Sequence, residues 1–406
     1  MASTLTYRAE FSAGWKTVLG GTLGTAFGIS ALPFYTLGVF VKPIAEATGW
    51  SREAVQLGFA ALMFGMLLSS WAWGVAVDRW GARGVALVSQ IGLGVGLIAL
   101  PSFATSLTGW YVGWVVVAFL GAGTSPVTWT RGISGWFTTA RGAALGLALM
   151  GTGFCALIAP PAVTAVIALR GWEDGYRALG AAVLLLALPL TALTFRDSKA
   201  LAAGDTPLPG ADRKAALSDY RFWLLLFVFA GMTLAIAGLI PTLVPLLTDR
   251  GMSAAQAAGY AALVGVAIIV GRVGAGLLID RFWAPAVAAI MLALPVLACL
   301  ILLMGAPSPL LIGVAALLIG LAAGAEFDVV AYLTGRYFGM RNYGFLYSIQ
   351  TVGMLVAGGF SPALFGRIFD RTGSYDTALM VAAGIFVCVP PLLLLMGRYP
   401  NEEEMA

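Results

Sequence analysis

Apolar residues run along this chain in long blocks, and polar residues gather in the short gaps between them. The blocks fall at about 15–41, 53–77, 84–105, 109–135, 142–168, 176–195, 221–247, 254–279, 284–304, 308–335, 343–366 and 376–397. Each is close to the ~20 residues a helix needs to cross ~30 Å of hydrocarbon. Continuous apolar runs predict helices, whereas a transmembrane barrel would show alternating segments of about ten residues. The pattern therefore predicts an all-α membrane protein with twelve transmembrane helices.

Composition supports the same class. Hydrophobic residues make up 60% of the 406, charged residues only 10%, and mean hydropathy is +0.92. Soluble domains carry roughly 25% charge, and so apolar a chain would leave more apolar surface in water than folding can bury. A soluble enzyme, a secreted disulfide scaffold and a nucleic-acid binder are excluded. The 52 glycines suit close helix–helix approach in lipid. Cys155, Cys299 and Cys388 each fall inside a predicted helix and read as small apolar residues. No metal or cofactor site is expected.

Loop charge sets orientation. With the N-terminus inside, most Lys and Arg, including Arg79, Arg83, Arg196, Lys199, Arg213 and Lys214, fall on cytoplasmic segments. Both termini are then cytoplasmic, and the net charge of +4 reports topology rather than a polyanion site. The longest polar stretch follows the sixth block. It divides the chain into a six-helix bundle at 1–196, a cytoplasmic linker at 197–219 and a second six-helix bundle at 220–406.

The two halves repeat. Gly49-Trp50-Ser51 returns as Gly251-Met252-Ser253, Gly74-x-x-x-Asp78-Arg79 as Gly276-x-x-x-Asp280-Arg281, and Trp136-Phe137 as Tyr337-Phe338, all at nearly one offset. Two pseudo-symmetric bundles able to rock about a central site are the mechanical meaning of such a repeat.

The run Gly74-x-x-x-Asp78-Arg79-x-Gly81-x-Arg83 resembles the helix 2–3 loop signature of the major facilitator superfamily, with a degenerate copy in the second half. Within it the chain is similar to the bacterial monocarboxylate-porter and oxalate–formate-antiporter group. That likeness rests on Gly38 through Lys42-Pro43, Trp50-Ser51-Arg52, Trp136-Phe137, Arg141-Gly142, Gly324, Glu326, Asp328, Arg336 and Phe369-Asp370 through Tyr375. The resemblance implies a gating set of Asp78, Arg79, Arg83, Asp280 and Arg281. Asp78 would face the start of helix eleven near Asn342–Gly344, and Asp280 the start of helix five near Arg141–Gly142. An anion is favoured at a helix N-terminus, and a contact made in one state only biases the conformational equilibrium.

Three ionisable residues stand inside predicted helices: Arg272, Glu326 and Asp328. At ~1.5 Å per residue, Arg272 lies about 12 Å in from Asp280, and Asp328 and Glu326 about 12 and 15 Å in from Arg336. These depths approach the midplane, where a charge is expensive and marks function by default. A guanidinium offers a planar fork to a carboxylate, and the resemblance implies a substrate-binding arginine at Arg272. A structural pair with Glu326 or Asp328 is the other reading. Two apart on one helix, Glu326 and Asp328 point about 200° apart. Substrate engaging Arg272 would free a carboxylate to take up a proton, and with no histidine in the chain, Glu326 or Asp328 must carry it. Tyr35, Tyr332, Tyr347 and Gln350 are further cavity candidates.

The chain departs from the group in places. Ile268 stands where animal monocarboxylate transporters carry an aspartate one turn before the arginine. Phe34-Tyr35-Thr36 replaces their lysine region, and helix eleven lacks the second cation of oxalate–formate antiporters. One fixed cation suits a monoanion.

The expectation is thus a monomeric, multi-pass transporter in the bacterial inner membrane. It would move a small organic monocarboxylate by alternating access, with a proton as partner. An exporter of drug-like or apolar compounds and a transporter-like sensor without flux are the alternatives. A membrane enzyme is not expected, because no nucleophile–base pair, metal cluster or phosphate loop is present.

Overall fold

A computed structural model describes residues 7–137, 140–197, 210–339 and 341–400. The side chains of Tyr7, Ser70, Trp71, Asp78 and Arg141 also lie outside this description. The fold is all-helical, and ten helical stretches among the described residues are long and apolar enough to cross a membrane.

In chain order the helices are α1 (Tyr7–Ala26), α2 (Leu32–Thr48), α3 (Arg52–Ala99), α4 (Leu107–Gly121), α5 (Pro126–Ser134), α6 (Arg141–Leu149), α7 (Gly151–Arg170), α8 (Trp172–Ala182) and α9 (Leu188–Thr194). The short α10 (Arg213–Ser218) precedes α11 (Tyr220–Asp249), α12 (Ala254–Ile279), α13 (Ala284–Ala293), α14 (Pro295–Leu303), α15 (Pro309–Phe338), α16 (Tyr343–Thr372) and α17 (Asp376–Cys388). The first apolar block breaks at Phe27–Ala31, and Pro33 sits in the opening turn of α2. Proline is suited to that position because the first N–H groups of a helix have no partner to lose. The second and third blocks run together as α3, bent at Gly81, whose φ of 78° and ψ of 161° are non-helical. Helix starts carry side-chain caps: Ser106 accepts from Gly109 N at 3.1 Å and Asp219 from Arg221 N at 2.8 Å.

The chain forms two compact units. Unit 1 comprises residues 1–50, 54–203 and 252–262; unit 2 comprises 51–53, 204–251 and 263–406. Unit 1 is packed around aromatic rings. Phe40 stacks on Tyr176 with centroids 3.8 Å apart, and Trp110 and Trp114 meet Tyr176 edge-on at 6.0 and 5.7 Å. Trp110 also donates its indole N–H to the Val55 carbonyl at 3.1 Å, which gives this large buried side chain its polar partner.

Unit 2 depends on close backbone approach of α12 and α15. A Cβ on Gly324 would meet the Ile268 carbonyl and stand 3.0 Å from the Arg272 nitrogen. A Cβ on Gly271 would strike Leu321, and one on Gly320 would strike Val264. Without a water-driven force between helices in lipid, such van der Waals contact is what holds them. Gly324→Leu should force α12 and α15 apart. Overpacking typically costs about 1–3 kcal/mol, so a melting temperature several degrees lower is expected in detergent. An unchanged melting temperature would show that the interface yields without loss.

Candidate functional site

The close approach of α12 and α15 brings Arg272 against Asp328. Arg272 Nε and Asp328 Oδ2 are 3.4 Å apart, with the side chains 10% and 29% exposed. The pair does not amount to a hydrogen bond at Nε, which is buried and otherwise without an acceptor. The guanidinium is therefore held by charge while one donor stays unspent. Tyr347, on α16, lies within electrostatic reach of both Arg272 and Asp328, and its ring stacks on Tyr343 at 5.5 Å.

Glu326 is separated from this pair. It is 3% exposed, and its carboxyl contacts the Thr233 hydroxyl of α11. The same Thr233 Oγ1 lies 2.8 Å from the Phe229 carbonyl oxygen. The two acids diverge as their spacing on one helix requires.

Gln350 follows Tyr347 by one turn and is fully buried. Its side-chain amide meets Thr334 Oγ1 at 2.6 Å, and that hydroxyl is 2.7 Å from the Val330 carbonyl. A hydroxyl has one proton for these two acceptors. Turning the amide so that Nε2 faces Thr334 satisfies both contacts and gives that nitrogen, otherwise unpartnered, an acceptor. Tyr332 has its electrostatic neighbours at the linker-side end of unit 2, in Asp280, Arg336 and Tyr399. Tyr35 belongs to unit 1, where its ring meets Phe34 at 5.0 Å.

The gating candidates divide. The Asp78 side chain lies outside the described residues. Arg79, Asp280 and Arg281 are exposed. Arg83 is engaged within unit 1: its Nη2 donates to the Ala192 carbonyl at 2.7 Å, near the end of α9. A cation there meets the negative end of the helix. Its backbone N–H lies 3.2 Å from both carboxylate oxygens of Asp197. Just before α6, Glu10 Oε2 accepts from Ala140 N at 2.9 Å.

Arg52 stands in the Trp50-Ser51-Arg52 motif of the resemblance and has no site role in the reading of the sequence. In unit 2 it donates to Asp249 through Nη1 at 2.6 Å and Nη2 at 2.8 Å, and to the Tyr375 hydroxyl at 3.0 Å. Its guanidinium also lies 3.7 Å over the Phe369 ring. Asp370 caps the same helix start, accepting from Arg52 N at 3.2 Å and Glu53 N at 2.8 Å. Burial opposes the charge on Arg52, but the bonds to Asp249 and Tyr375 outweigh it and leave its pKa above the ordinary value. Burial pushes the Tyr375 hydroxyl up to about 12. The signal was present in two motifs far apart in the chain, Trp50-Ser51-Arg52 and Phe369-Asp370 through Tyr375; nothing local says that they meet.

Each hydrogen bond to a charged group contributes roughly 1.5–3 kcal/mol. Arg52→Ala should therefore lower the melting temperature by several degrees, and Arg52→Lys should recover part of the loss because it keeps the charge without the fork. Equal stability of Arg52→Ala and the parent protein would contradict this account of the cluster.

Comparison with known proteins agrees with this architecture. The model of the Major Facilitator Superfamily matches residues 23–362. Monocarboxylate transporter 11 of Mus musculus is 30% identical over 402 residues, covering 92% of this chain and 86% of that protein. The probable sulfoacetate transporter SauU of Cupriavidus necator is 26% identical over 397 residues, with 90% of each covered. The solved structure of a bacterial homologue of the human lysosomal transporter Spinster matches with a TM-score of 0.71 over 97% of both chains, at 17% identity. That last likeness is one of fold.

Proposed function

Because the chain belongs to the Major Facilitator Superfamily of transporters and has distant homologues among monocarboxylate transporters, we propose that it moves a small organic monocarboxylate by alternating access with a coupled proton. Arg272 is the anchor in this reading. The supporting observation is its unspent Nε beside a loosely held Asp328 inside a spanning helix. A substrate carboxylate can take the guanidinium fork, and Asp328 is then released from the pair.

Glu326 is the proton carrier. A buried carboxylate without a cation is strongly disfavoured in hydrocarbon, and the charge of Arg272 is directed to Asp328. Hydrogen-bond arithmetic points the same way. When the Thr233 hydroxyl donates to the Phe229 carbonyl, its contact with Glu326 closes only if the carboxyl supplies a proton. Tyr347 and Gln350 are neutral groups on α16 that complete the polar lining in this reading, Tyr347 beside the ion pair. Loop charge supports both termini on the cytoplasmic side of a bacterial inner membrane. Asp78, Arg79, Arg83, Asp280 and Arg281 remain the candidates for biasing the two access states.

The test is uptake of a labelled carboxylate panel by proteoliposomes. Arg272→Ala should reduce uptake at least a hundredfold, and Arg272→Lys should retain a small remainder. Normal uptake by Arg272→Ala would remove the anchor. Glu326→Gln keeps a neutral group of the same shape. It should preserve exchange of labelled for unlabelled substrate while losing accumulation driven by a pH gradient. Accumulation that still follows the gradient in Glu326→Gln would transfer the coupling role elsewhere.

A further inference from the structure

Tyr399 lies beyond the last helix, and the transport reading gives it no part. The chain reaches it through Gly397, whose φ of 68° is a backbone conformation that favours glycine. That turn is fastened to α15, because the Tyr337 hydroxyl donates to the Gly397 carbonyl at 2.7 Å. Tyr399 is thereby brought against the end of the same helix. The Arg336 guanidinium lies over the Tyr399 ring at 4.5 Å, and the Tyr337 ring is 5.2 Å away. A cation over a ring face and a tilted ring pair are both attractive.

The hydroxyl of Tyr399 reaches a different helix. It accepts from Ala284 N at 3.0 Å, at the first residue of α13 and just past the turn that closes α12. Trp283, before it, supplies no side-chain cap, so Tyr399 answers one of the orphan donors of a helix start. Tyr332, one turn before Arg336 on α15, has Asp280, Arg336 and Tyr399 as electrostatic neighbours. One side chain from the end of the chain therefore ties the linker-side end of α15 to that of α12.

These are the two helices that hold the ion pair. Arg272 stands about 12 Å in from Asp280, and Asp328 about 12 Å in from Arg336. At the pair the helices touch, where a Cβ on Gly324 would stand 3.0 Å from the Arg272 nitrogen. Beyond it, away from the linker side, they touch again at Gly320 and Val264. Two packed helices fixed along one half and tied at the other end keep one angle, and packed interiors transmit displacement. The separation of 3.4 Å between Arg272 Nε and Asp328 Oδ2 is sensitive to that angle. A few tenths of an ångström less closes a hydrogen bond, and a little more lets the pair part. We propose that Tyr399 is a positioning residue of the transport site, setting the spacing of α12 and α15 and through it the grip of Asp328 on Arg272. Its bearing on transport rests on the reading of Arg272 as the anchor; its effect on the ion pair does not.

The experiment is a double-mutant cycle on the full chain in detergent, read as melting temperature in the parent protein, Tyr399→Leu, Asp328→Asn and the combination. Sites more than ~7–10 Å apart that share no partner lose stability additively. A tie that acts through the ion pair instead leaves Asp328→Asn less to remove, so the loss in the combination should fall short of the sum by about 2 °C or more. Tyr399→Leu combined with Arg52→Ala, whose partners Asp249 and Tyr375 lie away from this tie, should add in full. Tyr399→Phe keeps the ring under Arg336 and loses only the acceptor for Ala284 N; it should show a smaller shortfall, and it serves the cycle if Tyr399→Leu does not fold. Additive losses for both Tyr399 variants with Asp328→Asn overturn the proposal. In proteoliposomes, for a labelled carboxylate that the parent protein takes up, Tyr399→Leu should shift the half-saturating concentration about threefold or more with the maximal rate little changed, because the contest between Asp328 and substrate for the guanidinium has changed. A fall in maximal rate alone is what a purely structural role gives and overturns the positioning role. The cycle contains no substrate, so normal uptake by Arg272→Ala would remove the anchor and leave the coupling of Tyr399 to Asp328 standing.

Discussion

A charge inside a membrane-spanning helix must find its partner in protein, because hydrocarbon offers no water to replace it. In this chain the constraint falls on Arg272. Its partner, Asp328, is reachable only because α12 and α15 touch backbone to backbone, and they do so only because Gly271, Gly320 and Gly324 carry no Cβ. The glycines therefore act on the electrostatics of the site as well as on packing. They set an ion pair at 3.4 Å that neutralises without closing a hydrogen bond at Nε. A tighter pair would be a fixed structural strut; a wider one would leave both charges exposed to a medium that cannot solvate them.

The second acid is managed differently. Glu326 is turned away from the cation by helix geometry and meets an uncharged hydroxyl, that of Thr233. Thr334 and Gln350 repeat this device with an amide in place of the acid. In both cases a threonine that already faces the carbonyl four residues before it is shared with a polar group on another helix. Such sharing supplies partners to buried polar groups without adding charge.

At the ends of helices the same economy of charge recurs. Glu10 accepts from the backbone just before α6, Asp197 from Arg83 after the bend at Gly81, Asp219 from Arg221, and Asp370 from the start of α3. Each places a carboxylate where unpaired N–H groups and the helix dipole favour one. Three of the four acids come from sequence positions remote from the helix they cap. The acids of the loop signature attract notice because they repeat, yet the capping seen at Glu10, Asp197 and Asp370 has no repeat to mark it.

The sequence by itself determined the fold class and family, because bilayer thickness imposes apolar runs of a readable length and a repeat with its loop signature survives as residue identities. It also determined that Arg272, Glu326 and Asp328 lie deep in helices, since depth follows from counting residues along a known rise. The angle between the two acids was legible for the same reason. Only the tertiary structure decided which acid Arg272 faces, that Thr233 holds the other, and that Arg52 meets Asp249, Asp370 and Tyr375. Those pairings depend on how one helix is rotated and set against another. Helix rotation is fixed by the sum of many small packing contacts, and no single position in the chain records that sum.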